Sequence, residues 1–164
     1  MSNAVKERVL EKLTLQFKDS LLSVGEFRGE LTVVVKKADI VPVCEFLKKD
    51  PDLRFDLLED LCGVDMYTPI ERFQVVYHIY SLKNKFRLRL KVALDEGDLK
   101  VPTVSGIWST ANWHEREVYD MFGIVFDGHP DLRRLYMPEE FEYFPLRKDF
   151  PLMGIPGSLP LPKK

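Results

Sequence analysis

At 164 residues, with 45% hydrophobic and 30% charged side chains, the chain has an ordinary globular composition and enough length to bury one real core. Its formal net charge of −2 argues against nucleic acid as the main partner, since phosphate binding needs a basic footprint. No apolar run approaches the roughly 20 residues of a membrane span, and the mixed-charge start (Met-Ser-Asn-Ala-Val-Lys-Glu-Arg) reads neither as a secretory signal nor as a transit peptide.

Val5, Val9, Leu10, Leu13 and Phe17 recur at helical spacing, with Lys6, Glu7, Glu11 and Lys12 on the other face, which predicts an amphipathic helix. A hairpin is expected next, from residues 22–27 and 31–36, turned at Arg28-Gly29, where glycine supplies a positive φ. Asp39 is placed to cap a second helix over 40–49, with Pro42 in its first turn and Asp50-Pro51-Asp52 ending it. Residues 55–66 carry apolar positions interrupted by Asp56, Glu59, Asp60 and Asp65, and are expected to begin helical or irregular before becoming a strand.

Residues 72–82 and 85–95 alternate clearly. Phe73, Val75, Tyr77 and Ile79, then Phe86, Leu88, Leu90, Val92 and Leu94, share one side, and Lys83-Asn84-Lys85 joins the two strands as an antiparallel pair. The expected fold class is α+β: a two-layer domain with helices on one face of a mainly antiparallel sheet.

After Gly97-Asp98 the character changes. Residues 101–104 precede a helix carrying 113–122, with Ser109, Thr110 or Asn112 as candidate caps and Gly123 as its stop. Six of the 11 prolines lie from Pro138 onward. Proline fixes φ and removes a hydrogen-bond donor, so an extended arm over 124–164 is expected after an α+β domain over 1–123. That arm also carries Leu135, Tyr136, Met137, Phe141, Tyr143, Phe144, Phe150, Leu152 and Ile155. Disordered tails are poor in aromatics, and a bare apolar arm is penalised in water, so a groove on a larger partner is its expected seat.

The chemical motifs are weak. His114-Glu115 opens like a zinc-protease helix, but the second histidine is missing because position 118 is Val. Glu115, Glu117 and Asp120 with His114 and His129 offer groups for acid–base work, but a salt-bridge lattice accounts for them better, with Arg116 and Asp120 at pairing distance along a helix. Asp131, Arg133, Arg134 and then Arg147, Lys148, Asp149 form two mixed-sign clusters suited to bidentate pairing. Cys44 and Cys62 lie in no metal or cluster spacing and read as small buried hydrophobes; His78 reads as structural. Glycines 123 and 128 make no phosphate loop.

Residues 113–151 nevertheless hold a long patterned run: Glu115 to Ile124 (Glu-Arg-Glu-Val-Tyr-Asp-Met-Phe-Gly-Ile), Phe126, Gly128 to Arg134 (Gly-His-Pro-Asp-Leu-Arg-Arg), then Pro145 to Pro151 (Pro-Leu-Arg-Lys-Asp-Phe-Pro). This resembles the 30-kilodalton (C) subunit family of respiratory complex I, over about a quarter of the chain. The pattern departs at residues 138–145, where Phe144 stands in place of a small residue. The resemblance implies a non-redox scaffold in the peripheral arm of a proton-translocating NADH:quinone oxidoreductase. NADH, FMN, iron–sulfur clusters and quinone belong to the parent complex and none to this chain. It implies docking on the 49-kilodalton (D) subunit beside the B and I subunits, no isolated activity, and a peripheral place on the cytoplasmic side of a bacterial or archaeal membrane. By the same likeness, Glu115, Arg116, Glu117, Tyr119, Asp120, His129, Asp131, Arg133, Arg134, Arg147, Lys148 and Asp149 are interface and arm-ordering residues. A component of a membrane-bound nickel–iron hydrogenase, or of a ferredoxin- or F420-linked complex, is the alternative.

Overall fold

The computed structural model describes residues 2–152 and Gly154. Ile155 and the prolines at 156, 160 and 162, the end of the expected arm, lie outside the described residues.

Helix α1 (Ser2–Phe17) leads into a hairpin of β1 (Leu21–Phe27) and β2 (Glu30–Val35). The turn places both Arg28 and Gly29 at positive φ, as a two-residue hairpin that follows the strand twist requires. Helix α2 (Ile40–Lys49) then crosses to the meander β3 (Leu57–Asp65), β4 (Phe73–Ser81) and β5 (Phe86–Leu94). Asp39 stands at the start of α2, but its side chain makes no capping bond; a short 3-10 turn, Lys37–Asp39, feeds the helix instead.

The sheet order is β1-β2-β5-β4-β3. Every pair is antiparallel except β2 with β5, which runs parallel, Leu31 facing Leu88 and Val33 facing Leu90. The fold class is therefore α+β with a mainly antiparallel sheet. Alternating side chains of β2, β4 and β5 share one buried core with Val9 and Leu13 of α1 and Ile40, Val43, Cys44 and Leu47 of α2. Each such aliphatic contributes roughly 1.5–3 kcal/mol by leaving water. Cys44 is fully buried as expected, whereas Cys62 is only half-buried, because it lies on the opposite face of β3 from the core residue Leu61.

Helix α3 (Ala111–Phe122) lies along the edge strand β3. Gly63 permits the approach: a Cβ there would stand 2.6 Å from the Phe122 ring and 3.1 Å from Val118. Thr110 precedes α3 without capping it, its hydroxyl donating instead to the Leu58 carbonyl at 3.3 Å. Gly123 ends the helix at φ +77.

Beyond Gly123 the chain keeps packing. Strand β7 (Val125–Asp127) pairs in parallel with β6 (Lys100–Pro102), and Ile124, Phe126 and Val101 are buried. Three-residue strands leave no periodicity to read, so only an extended path is visible there in the sequence.

Candidate partner-docking site

Two fully buried carboxylates project from α3, and each is answered by chain that follows or precedes the helix. Glu115 accepts from the Thr103 hydroxyl and from the Val104 N–H at 2.7 Å. Burial pushes its pKa up to about 7, against the opposing pull of these two donors. The His129 ring lies 3.9 Å from the same carboxylate. Its Nδ1 accepts from the Asp131 N–H at 3.0 Å, so the ring proton sits on Nε2, which reaches the Asn112 carbonyl at 3.1 Å.

Asp120 is the tether of the C-terminal segment. One carboxylate oxygen accepts from three successive backbone N–H groups, Leu135 at 3.0 Å, Tyr136 at 2.7 Å and Met137 at 3.0 Å. The other accepts from Arg134 Nη1 at 2.7 Å. Burial alone would raise this carboxyl, yet the Met137 and Tyr136 amides, the Arg134 guanidinium and the Leu135 amide together hold it below the ordinary carboxylate value. Arg116 does not pair with Asp120 one turn on; it donates to the Arg133 and Arg134 carbonyls at 3.0 and 3.2 Å and stacks on Trp113. The helical spacing permits the ion pair, but the returning backbone offers Asp120 more donors and Arg116 more acceptors.

A second fastening follows. Arg147 donates to the Phe122 carbonyl at 2.7 Å, satisfying an orphan acceptor at the end of α3, and Leu146 N–H reaches the Met121 carbonyl at 3.2 Å. The Arg147 guanidinium lies over the rings of Phe144 at 4.5 Å and Phe73 at 5.1 Å. Burial pulls its pKa below the ordinary guanidinium value, with Asp149 pulling the other way. The departure at Phe144 thus has a definite path: its ring sits between Arg134 and Arg147 and over Gly123, where a Cβ would meet it at 2.7 Å.

The third fastening joins positions far apart in sequence. Asp65 takes Arg72 bidentately, at 3.1 and 2.9 Å, and also accepts the Lys148 N–H at 2.8 Å. The guanidinium, partly offset by burial, holds the Asp65 pKa down at about 2. Arg72 also pairs with Asp149 at 3.0 Å. Asp65, Arg72, Thr103 and Phe144 are absent from the site residues expected from sequence; the contact of Asp65 with the Lys148 N–H, across 83 residues, has no local signal at all.

The remaining expected positions face outward. Glu117 is exposed and Tyr119 half-buried. Arg133 and Asp131 are exposed and fork onto each other at 2.7 and 2.8 Å. Lys148 and Asp149 are exposed. Trp113, Tyr136, Tyr143 and Leu146 of the same run are also large and open to solvent. Among the described residues no helix is long and apolar enough to cross a membrane.

Fold and segment together define an α+β domain whose patterned C-terminal run returns over its own third helix. The same fold occurs in a trypsin-resistant fragment, residues 1–134, of Nqo5, at a TM-score of 0.64 and 36% identity, covering 78% of this chain and 99% of that one. It occurs also in a membrane-bound sulfane sulfur reductase, an archaeal respiratory membrane complex, at a TM-score of 0.75 and 22% identity, over 90% and 86% of the two chains. Residues 33–156 match the profile of the family described as respiratory-chain NADH dehydrogenase, 30 Kd subunit, and the chain belongs to that family. The NADH-quinone oxidoreductase C subunit of Geotalea uraniireducens is 52% identical over 92% of this chain and 91% of its own length. The C 2 subunit of the Rhizobium meliloti oxidoreductase is 54% identical over 87% and 78%.

Proposed function

We propose that the chain is the 30-kilodalton (C) subunit of a proton-translocating NADH:quinone oxidoreductase and serves it as a non-redox scaffold. In this reading it docks on the 49-kilodalton (D) subunit, beside the B and I subunits, peripherally on the cytoplasmic face of the membrane. Flavin, iron–sulfur clusters and quinone chemistry then reside in other subunits. The observation that carries the reading is the Asp120 tether. By holding residues 134–137 on α3, it presents Arg133 and Tyr136 as exposed side chains of an ordered segment, and Trp113, Tyr143 and Leu146 are exposed as well. Aromatic and arginine side chains presented on an ordered support are the usual anchors of protein interfaces. The relatives named as C subunits of NADH-quinone oxidoreductase support the identity of the assembly. The likeness to the sulfane sulfur reductase complex concerns the fold alone and adds no weight to the hydrogenase-type alternative.

The test is affinity recovery of the tagged chain from detergent-solubilised native membranes. Wild-type chain is expected to bring the 49-kilodalton and B subunits with it. The paired substitution Trp113→Ala with Tyr136→Ala, both on exposed side chains, is expected to lose the 49-kilodalton subunit while the melting temperature falls by only a few degrees, the loss of the Arg116–Trp113 stacking being worth about 0.5–1 kcal/mol. Full recovery of the 49-kilodalton subunit by that variant overturns the docking surface. Recovery of hydrogenase subunits by the wild type overturns the assembly.

A further inference from the structure

Away from the patterned segment, Asp60 meets Cys62 and His78, both of which read as structural in the sequence, on the side of the sheet opposite the core. The carboxylate of Asp60, the thiol of Cys62 and the imidazole of His78 place their donor atoms within 4.8 Å of one another. Strand register explains the grouping. Asp60 stands opposite His78, and Cys62, opposite Val76, lies two residues along the same face. The irregularity between Leu58 and Asp60 resets β3 just before the group. A second imidazole arrives from α3, His114 Nδ1 lying 3.6 Å from Asp60 Oδ1. Asp60 is exposed and His78 and Cys62 are half-buried, so the four side chains line a solvent-accessible patch and not the core.

We propose that Asp60, Cys62, His78 and His114 form a binding site for a borderline divalent cation of the zinc type, which would staple α3 to strands β3 and β4. One thiolate, two imidazoles and one carboxylate make a four-coordinate set that suits zinc, whereas magnesium and calcium prefer all-oxygen sites. With zinc bonds of about 2.0–2.3 Å, tetrahedral donors stand roughly 3.3–3.8 Å apart. The 4.8 Å spread of the Asp60, Cys62 and His78 donors therefore closes through side-chain rotation on backbones fixed by the β3–β4 ladder, with His114 brought against Asp60 from α3. Access is open: the Asp60 side chain is 52% exposed and that of His114 28%.

The surrounding charges are mixed. Burial first, then Arg89, pulls His78 below the ordinary histidine value against Asp60, Glu30 and Glu59. Burial, Asp60 and Glu117 push the Cys62 thiol up against Arg89 and Lys91, so an incoming ion displaces a proton. This site lies apart from the scaffold role and does not depend on it.

The full chain, free of any polyhistidine tag and stripped with a chelator, is titrated with Co²⁺ and then Zn²⁺. One Co²⁺ per chain is expected, with a thiolate-to-cobalt charge-transfer band that Zn²⁺ bleaches. Cys62→Ser is expected to abolish the band, and Cys62→Ser and His78→Asn each to weaken Zn²⁺ binding at least tenfold. Absence of the band in the wild type overturns the site, and that result needs no variant to fold. Unchanged Zn²⁺ affinity in either variant, with its metal-free melt intact, overturns it equally.

Discussion

Removing the Asp120 carboxylate tests whether one side chain orders the C-terminal segment. Asp120→Ala leaves the amides of Leu135, Tyr136 and Met137 and the Arg134 guanidinium without their acceptor. Removing one partner from a buried, hydrogen-bonded pair costs about 3–5 kcal/mol, and each stranded buried donor about 1–3 kcal/mol. Residues 135–137 lie near the surface, so water can re-solvate part of this loss, and about 3–4 kcal/mol is the net expectation. For a chain of this size that lowers the melting temperature by roughly 10 °C if the segment unfolds with the domain. If it peels away alone, the melt moves less and the loss shows locally. Hydrogen exchange separates the two routes: amides 135–137 are expected to lose protection, while β4 and β5 keep theirs. Three of the four bonds come from backbone, so Asp120→Ala is expected to be more damaging than Arg134→Ala. Unchanged protection of amides 135–137 in Asp120→Ala, with a melt within about 1 °C of wild type, would refute the tether.

Two more outcomes are expected. Glu115 has its pKa raised from the ordinary 4.5 to about 7, so its contribution is fully present below 4.5 and is lost as pH rises through 7, a fall of about 3 kcal/mol by linkage. Glu115→Gln keeps the shape and removes the charge, so its denaturant midpoint is expected to lose this downward slope and to exceed wild type at about pH 8; an identical slope in the variant sinks the assignment. Gly63→Ala sets a methyl 2.6 Å from the Phe122 ring, and overpacking of this kind costs about 1–3 kcal/mol. Urea unfolding is expected to report that loss, and a neutral result means that α3 slides on β3 freely.

Much of the fold was legible because it is local. The alternation of Phe86, Leu88, Leu90, Val92 and Leu94 marked β5 and its buried face, all five being buried in the structure. Gly29 marked the hairpin, and Gly123 the end of α3. The parallel pairing of β2 with β5 was not legible, because alternation along a strand is the same whichever way its neighbour runs. Strands β6 and β7 were too short to show a period.

The patterned run was legible as a family resemblance, and the sequence by itself marked Asp120, Arg134 and Arg147 as charges in need of partners. What each one touches was decided only by the tertiary structure. Asp120 chose three amides 15 to 17 residues on over the arginine one turn back, and Asp65 chose an amide 83 residues away. A charge declares in sequence that it must be satisfied if buried; which donor satisfies it depends on where the chain returns. That return path is set by packing of α3 on Gly63 and of Phe144 over Gly123, contacts that no local pattern encodes.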